Sequence, residues 1–363
     1  MAYGASLESW LGASPHGFES HILRALRKKT FTNETVKKPQ SNLGLLSFLH
    51  HSYWSKVTIS PSAKDRRMHG TVNLPDGRLL EWADNGIVST EALFLQPATT
   101  IALDVWGAWF QAAAALGIRI VAINRPGVGA STRNRGRRIT DDVADAQELV
   151  RQLGITKFVA IGWSGGGGRA IGMTFIEQCV GAHTIACIPW QDPNDELWMA
   201  TVTPTRLELT NASRANFEEL LKRRNASFEE DQKVTAEEML QVFPTFLPNF
   251  SQYPDEYKRF AIDFSASIRR AMMNGPEADG DDYAANIHLW GFRLEDVTKP
   301  VTLWHGTLDD DVEFFYGEYN HRRIPGSKLI PLEGLGHIDI VVEARDQILS
   351  GAIDLLNSSR KLG

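Results

Sequence analysis

Short apolar runs alternate with longer amphipathic segments through the first half of this chain, starting near His69. The runs are rich in Val, Ile, Leu or Phe and are bounded by turn residues: Ala92–Gln96, Arg119–Asn124, Phe158–Trp163 and His183–Pro189. The segments between them have helical patterns: Leu103–Leu116, Asp141–Leu153 and Gly165–Gln178. Buried strands that alternate with helices predict βαβ units, and therefore an α/β fold with a mostly parallel sheet flanked by helices.

The same pattern predicts the borders of three regions. A hairpin is predicted around Pro75-Asp76-Gly77, and strands resume at Val301–Trp304 and Lys328–Leu332 before a closing helix, Ile340–Leu356. Between them, near Trp190, the alternation gives way to charged helical patterns with interleaved aromatic residues. We therefore expect an N-terminal extension (1–67), a core formed by 68–190 and 299–363, and a helical lid at 191–298, which is too long for a plain loop.

Composition narrows the partners and the location. The chain has 363 residues, of which 43% are hydrophobic, and a net charge of −6, so no basic field favours nucleic acid. No apolar run reaches the roughly 18–20 residues of a membrane-spanning helix. The two cysteines, Cys179 and Cys187, form no C-x-x-C pair and lie in segments predicted to be buried, which favours free thiols. Together with the absence of a secretory signal pattern, this predicts a cytoplasmic protein. No pattern indicates an oligomeric state.

The strongest motif is Gly162-Trp-Ser-Gly-Gly166, which follows an apolar strand and opens a helical segment. A G-x-S-x-G sequence in a strand–turn–helix context predicts a strained turn that exposes Ser164 at the carboxyl edge of the sheet. The helix that follows would favour developing negative charge there. An ordinary glycine-rich turn or a phosphate-binding loop is the alternative, but the lysine of a Walker loop does not follow the glycines.

A serine at neutral pH needs a base and an acid to become a nucleophile. His337 follows the strand Lys328–Leu332, so it is expected at the same sheet edge as Ser164. Asp309, just past the strand Val301–Trp304, is the expected acid, with Asp311 as the second choice. Asp339 is expected to cap the last helix.

With these motifs the chain resembles the α/β-hydrolase superfamily from about His69 to Ile340, and most closely its branch of proline-iminopeptidase-like proteins. Four motifs carry the resemblance: Asn124–Ser131, Gly162–Gly168, Trp304–Asp309 and Gly336-His337. The resemblance implies a serine hydrolase in which Ser164 is the nucleophile, His337 the base and Asp309 the acid that orients the base. A peptidase activity would rest on the branch name alone.

One position departs from the family pattern. The third strand of the family ends in His-Gly, and the next backbone N–H helps to form the oxyanion hole, whereas this chain has Gln96-Pro97. Proline has no N–H, so the hole would be built from the N–H groups of Ala98 and Gly165. The loss of one donor typically costs about 10²–10³ in rate. Either the loop is reshaped and works, or acyl chemistry here is weak.

Other site predictions follow from single residues. Gln96, Trp163 and Trp190 are expected to line a substrate pocket, since small-molecule pockets are mainly apolar. His50-His51 and His305 lack partner ligands at usable spacing, so no metal site is predicted. No dinucleotide fingerprint occurs, so no cofactor is predicted.

The sequence therefore predicts an enzyme that cleaves an ester, thioester or lactone of a medium-sized apolar molecule. Two alternatives stay open because of the Gln96-Pro97 loop. One is a non-hydrolytic enzyme of the same fold that transfers an acyl group, closes a ring or isomerises its substrate. The other is a ligand-binding protein with little turnover.

Overall fold

In the computed structural model, which describes residues 68–225 and 228–358, eight strands form one sheet in the order β1-β2-β4-β3-β5-β6-β7-β8. The strands are β1 (Met68–Asn73), β2 (Leu79–Asp84), β3 (Glu91–Gln96), β4 (Ile120–Ile123), β5 (Lys157–Trp163), β6 (Cys179–Ile185), β7 (Val301–Gly306) and β8 (Lys328–Leu332). β2 pairs antiparallel with β1 and β4, and the strands from β4 to β8 pair in parallel. The predicted N-terminal extension, 1–67, lies outside the described residues.

Helices follow most of the parallel strands. Those of the core are α1 (Gly107–Ala115), α2 (Ile139–Gln152), α3 (Gly165–Met173), α11 (Phe314–Arg323), α12 (Asp339–Glu343) and α13 (Arg345–Ser358). Between β6 and β7 lie α4 (Glu196–Thr201), α5 (Pro204–Ala215), α6 (Phe217–Asn225), α7 (Phe228–Asp231), α8 (Ala236–Val242), α9 (Pro254–Ala271) and α10 (Glu277–Ile287). Short 3-10 turns occur at Leu103–Trp106, Phe243–Thr245 and Leu294–Asp296. We call residues 186–300 the helical insertion.

The predicted α/β class and the parallel sheet flanked by helices are confirmed, whereas some boundaries differ. The fourth apolar run was expected as the strand His183–Pro189, but β6 ends at Ile185, because Ala186 adopts a φ of 47° and turns the chain out of the sheet. The helix after the serine motif ends at Met173, and the closing helix is divided into α12 and α13.

The central strands are buried on both faces, as a run of apolar residues requires. Alternate residues of β5 enter separate apolar clusters. Val159 and Ile161 join a cluster that includes residues of α1, α9 and α13, whereas Phe158 and Ala160 join one that includes residues of α2, α3 and α11. The sheet is therefore sandwiched between two helical layers, and its strand ends define where loops can converge.

The connections place four loops at one edge of the sheet. The chain leaves β3 toward β4 on one side and then returns across β3 to β5, so the order of the strands reverses between β3 and β5. Such a reversal opens a crevice at the carboxyl ends of the strands. The register pairs Gln96 with Gly162 and Gly306 with Leu332, so the loops after β3 and β5 are neighbours, and so are those after β7 and β8.

The packing of β5 against α3 depends on Gly162, which has no side chain. A Cβ on Gly162 would lie 2.2 Å from the carbonyl oxygen of Gly166 and 2.8 Å from Cβ of Ala170. Backbone atoms cannot yield as a flexible side chain can, so a residue with a side chain would separate the strand from the helix.

We expect Gly162→Ala to lower the free energy of unfolding by about 1–3 kcal/mol, because the added methyl group overpacks a backbone contact. The matched control is Gly70→Ala in β1, where the nearest atom to an added Cβ is 3.6 Å away, an ordinary contact. This variant should change stability by less than about 0.5 kcal/mol. Urea unfolding of both variants measures the difference, and equal stabilities would contradict the close-packing argument.

Candidate active site

Ser164 lies between β5 and α3 in a backbone conformation that non-glycine residues rarely adopt, with φ 53° and ψ −119°. Its N–H donates to the carbonyl of Ile185 at 2.8 Å, and its carbonyl accepts from the N–H of Gly167 at 2.9 Å. Such a conformation costs about 1–3 kcal/mol and persists only where its surroundings enforce it. The turn leaves the Ser164 side chain partly exposed at the sheet edge.

His337 and Asp309 are hydrogen-bonded to each other. Nδ1 of His337 lies 2.8 Å from Oδ2 of Asp309, a side chain that is fully buried. The other carboxylate oxygen accepts the N–H groups of Val312 at 2.8 Å and Asp311 at 3.1 Å. The acid in contact with the imidazole is therefore Asp309, whereas Asp311 contributes a backbone donor that fixes it.

The charge of Asp309 controls the titration of His337. Burial disfavours the imidazolium, but the nearby carboxylate of Asp309 and its hydrogen bond outweigh this and raise the pKa of His337 to about 9. Asp311 and Asp310 act in the same direction. His337 therefore keeps its second proton to a higher pH than an ordinary histidine does.

The loop that carries His337 is held from two sides. Nε1 of Trp163 donates to the carbonyl of His337 at 3.2 Å, and the two rings are 5.6 Å apart. On the other side, Oδ2 of Asp339 accepts the N–H of Gly336 at 2.7 Å. Asp339 is the first residue of α12, and Ile338 occupies the N-cap position where we expected a capping acid.

Since Trp163 directly precedes Ser164, these contacts bring the imidazole to the serine turn. The hydrogen bonds of the described residues do not include one between Ser164 Oγ and His337. Catalytic hydrogen bonds are often long before substrate binds and shorten in the complex.

The loop after β3 lies against the serine turn. A Cβ on Gly165 would lie 2.1 Å from Oγ1 of Thr99 and 3.3 Å from its backbone nitrogen, so a side chain there would displace Thr99. Within the described part of the chain, the N–H groups of Ala98, Thr99 and Gly165 donate to no acceptor. Ala98 and Gly165 are buried, and buried N–H groups without a partner are rare. Thr99 is a third free donor that the sequence did not predict.

The three predicted pocket residues have different surroundings. Trp163 contacts His337 and packs edge-on against Trp106. Gln96 is fully buried, and its Nε2 contacts Sδ of Met173 at 3.5 Å. Trp190 is buried in the apolar cluster on the α2, α3 and α11 side of the sheet. Trp163 is the one of the three that the structure brings to His337, and the pocket roles stay predictions.

The model of the Alpha/beta hydrolase family matches residues 101–350. The chain belongs to this family. The match does not distinguish the proline-iminopeptidase-like branch.

Solved structures of similar fold carry several functional names. The alignment with a hydrolase from Pseudomonas aeruginosa (TM-score 0.56, 19% identity) covers 78% of this chain and 96% of the hydrolase. The alignment with an esterase from Thermogutta terrifontis (TM-score 0.56, 17% identity) covers 80% of this chain and 99% of the esterase. The alignment with a bromoperoxidase from Bacillus anthracis (TM-score 0.53, 18% identity) covers 80% of this chain and 100% of the bromoperoxidase. Curated protein sequences give no match. At these identities the likeness shows the fold alone.

This alpha/beta hydrolase contains a buried ionic cluster that the sequence analysis missed. Five side chains share a single hydrogen-bonded network with little or no exposure: Arg125, Arg137, Arg169, Asp142 and Asp282. Three guanidinium groups face two carboxylates, so although burial opposes ionisation, the arginines hold the pKa of Asp282 well below its usual range. The sequence contains two signs of this cluster, the arginine inside Asn124–Ser131 and the acid-rich stretch 279–282. No local pattern connects them.

Burial also controls the titration of one further histidine and of both cysteines. His305 is buried beside Asp309, with Nε2 2.7 Å from the carbonyl of Val312, and burial lowers its pKa. Cys179 and Cys187 are free, buried thiols, and burial raises the pKa of Cys179 to about 11. Among residues 68–225 and 228–358, no three His, Cys, Asp or Glu side chains group as metal ligands would. In the same residues no helix combines the length and apolarity that crossing a bilayer requires.

We expect an NMR titration to give His337 a pKa of about 9, and the Asp309→Asn variant a pKa below the ordinary histidine value. Removal of the carboxylate charge leaves burial as the main influence, and burial disfavours the imidazolium. Asp310→Asn, which removes a more distant charge, should lower the pKa less. The His337 signal can be assigned by its loss in His337→Gln. Equal values in the wild type and Asp309→Asn would contradict the assigned role of Asp309.

Proposed function

We propose that this protein is a serine hydrolase that cleaves an ester, thioester or lactone of a medium-sized apolar molecule through an acyl-enzyme. The observation that carries the proposal is the hydrogen bond between Asp309 and His337, formed beside a serine in a strained turn and three unpaired N–H groups. A nucleophile, a base held by a third group and donors for an oxyanion are the parts that acyl transfer requires.

In the proposed reaction, Oγ of Ser164 attacks the substrate carbonyl carbon while Nε2 of His337 accepts the hydroxyl proton. Asp309 stabilises the imidazolium through its bond to Nδ1. The tetrahedral intermediate collapses, its bond to the alcohol or thiol breaks, and His337 returns the proton to that leaving group. Water then attacks the acyl-enzyme with His337 again as base, which releases the acid and the free serine. The proposed steps use groups of this chain and water, so this reaction needs no cofactor.

The oxyanion would bind to the N–H groups of Ala98 and Gly165, with Thr99 as a further neighbouring donor. Pro97 lacks an N–H, but the donors needed lie after it in the chain. Each such donor is worth about 10²–10³ in rate. The unpaired N–H groups of Ala98 and Gly165 favour the first alternative for the Gln96-Pro97 loop, a reshaped loop that still binds the oxyanion, over a site with weak acyl chemistry.

An apolar substrate is favoured by the side chains around Trp163. Phe260 and Phe264 of α9 lie 6.4 and 6.1 Å from the Trp163 ring and stack on each other at 5.0 Å. Aromatic side chains of the helical insertion therefore form a wall against Trp163, the residue next to Ser164. Such walls fit an acyl or alkyl group better than a charged one.

We expect Ser164→Ala to abolish labelling by a fluorophosphonate probe and to lower the turnover of p-nitrophenyl esters by at least about 10³-fold. Ser251→Ala, which removes an exposed hydroxyl from the helical insertion, is the control and should behave as the wild type. Esters of increasing chain length would size the pocket. If the folded wild type neither reacts with the probe nor turns over esters, the acyl-enzyme is wrong, and the non-hydrolytic and ligand-binding alternatives are favoured.

The pH dependence follows from the pKa of His337, which is raised to about 9. The base must be neutral to accept the serine proton, so kcat/KM should rise about tenfold per pH unit below this value and level off above it. Asp309→Asn should move the acidic limb to lower pH while it lowers the plateau. Ester hydrolysis between pH 5 and 10, corrected for spontaneous cleavage, measures both effects. A limb near pH 6.5 in the wild type would contradict the raised pKa.

A further inference from the structure

Arg125 contacts the loop after β3 through two backbone carbonyls. Its Nη1 donates to the carbonyl of Pro97 and its Nη2 to the carbonyl of Ala98, each at 2.5 Å. The guanidinium is almost fully buried. A buried arginine that binds consecutive carbonyls fixes the peptide units to which they belong.

The geometry of a trans peptide extends this constraint to the N–H groups. In a trans unit the C=O and N–H bonds point in opposite directions, and the described residues contain no cis peptide bond. The carbonyl of Pro97 shares its unit with the N–H of Ala98, and the carbonyl of Ala98 shares its unit with the N–H of Thr99. Both N–H groups therefore point away from Arg125, and both are among the unpaired donors beside Gly165.

Asp282 of α10 holds Arg125 in this position. Its carboxylate accepts Nε of Arg125 at 2.8 Å and Nη2 at 2.6 Å, a two-point contact that fixes the plane of the guanidinium. The same carboxylate accepts Nη2 of Arg169 at 2.9 Å, while Nη1 of Arg169 donates to the carbonyl of Gly165 at 2.7 Å. One carboxylate of the helical insertion is thus connected to both the loop after β3 and the first turn of α3.

Asn286, one helical turn after Asp282, makes a second link between the same two segments. Its Nδ2 donates to Oγ1 of Thr99 at 2.7 Å, and its Oδ1 accepts from Arg169. Residues of α10 therefore reach the loop after β3 directly at the Thr99 side chain, and through Arg125 at the carbonyls of Pro97 and Ala98.

We propose that Arg125 is a positioning residue that orients the N–H groups of Ala98 and Thr99 as oxyanion donors, and that Asp282 holds Arg125 for this purpose. The arrangement supplies what Pro97 cannot, because a residue without an N–H is oriented here through its carbonyl. The inference rests on the proposed hydrolase function and assigns the helical insertion a part in its rate.

The test compares Arg125→Met with Arg137→Met in the full-length protein. Arg137 is equally buried and also donates to Asp282, at 2.7 Å, but its described contacts do not include the loop after β3. We expect Arg125→Met to lower kcat for a p-nitrophenyl ester about 10²-fold with KM within about twofold, as expected when an oxyanion donor is misaligned. Affinity for a trifluoromethyl ketone, which binds as a tetrahedral oxyanion, should fall in parallel. Arg137→Met should change kcat by less than about threefold, although it removes a similar buried charge.

Arg125→Lys keeps the experiment decisive if Arg125→Met does not fold. Lysine retains the charge opposite Asp282 but is a point donor that cannot bind two carbonyls and a carboxylate as a planar fork does. We expect an intermediate loss of kcat, about tenfold, with KM unchanged. Asp282→Asn should give a loss of the same order.

The outcomes separate the two proposals. Wild-type kcat and ketone affinity in Arg125→Lys, or equal losses in Arg125→Met and Arg137→Met, would overturn the positioning role while the hydrolase proposal stands. A wild type without Ser164-dependent turnover would overturn the hydrolase proposal, and the positioning role with it. Loss of kcat and ketone affinity confined to the Arg125 and Asp282 variants would support both.

Discussion

The turn at Ser164 is the constraint on which the other parts of the site depend. The chain passes from β5 into α3 within one residue, so that residue takes a positive φ, and side chains at the nearby Gly162 and Gly166 would collide with backbone atoms. At Gly165 the absence of a side chain lets the loop after β3 approach until Thr99 occupies the volume of a Cβ. The strain at one position thus determines which loop can reach the serine, and how closely.

Burial of the ionic cluster costs desolvation free energy, and what the cluster contributes is the orientation of the backbone groups that it binds. Three guanidinium groups and two carboxylates lie almost without exposure around Asp282. Desolvation of such groups offsets most of their attraction, so a buried ion pair adds little to stability compared with apolar residues of similar volume. What an arginine provides that an apolar side chain cannot is directional donation to chosen carbonyls. In this protein those carbonyls belong to Pro97, Ala98 and Gly165.

Local patterns predicted the parts of the fold that local physics controls. The apolar runs that became β3, β4 and β5 alternate with helices, and the serine motif was recognisable from a strand and a helix on either side of it. Asp309 and His337 could be expected because parallel strands end at a shared edge. The contact of Asp282 with Arg125 spans 157 positions in the sequence, and no periodicity encodes such a pairing. The end of β6 escaped prediction because Ala186 takes a conformation that its residue type does not signal.

The ionic cluster also restricts how this sequence can change over time. A helix inserted between two strands could in principle drift independently of the core, since only its own packing would limit it. Here Asp282 accepts from both Arg125 and Arg169 at almost full burial, so the loss of this carboxylate would leave buried guanidinium groups without their acceptor. Residues of α8 and α9 lie in the apolar cluster that contains Trp163, so these helices can vary independently of Asp282, while α10 can change only together with the sheet-edge segments it binds. Two stretches of one insertion are therefore under different constraints, apolar packing beside Trp163 in one and ion pairing with the sheet edge in the other.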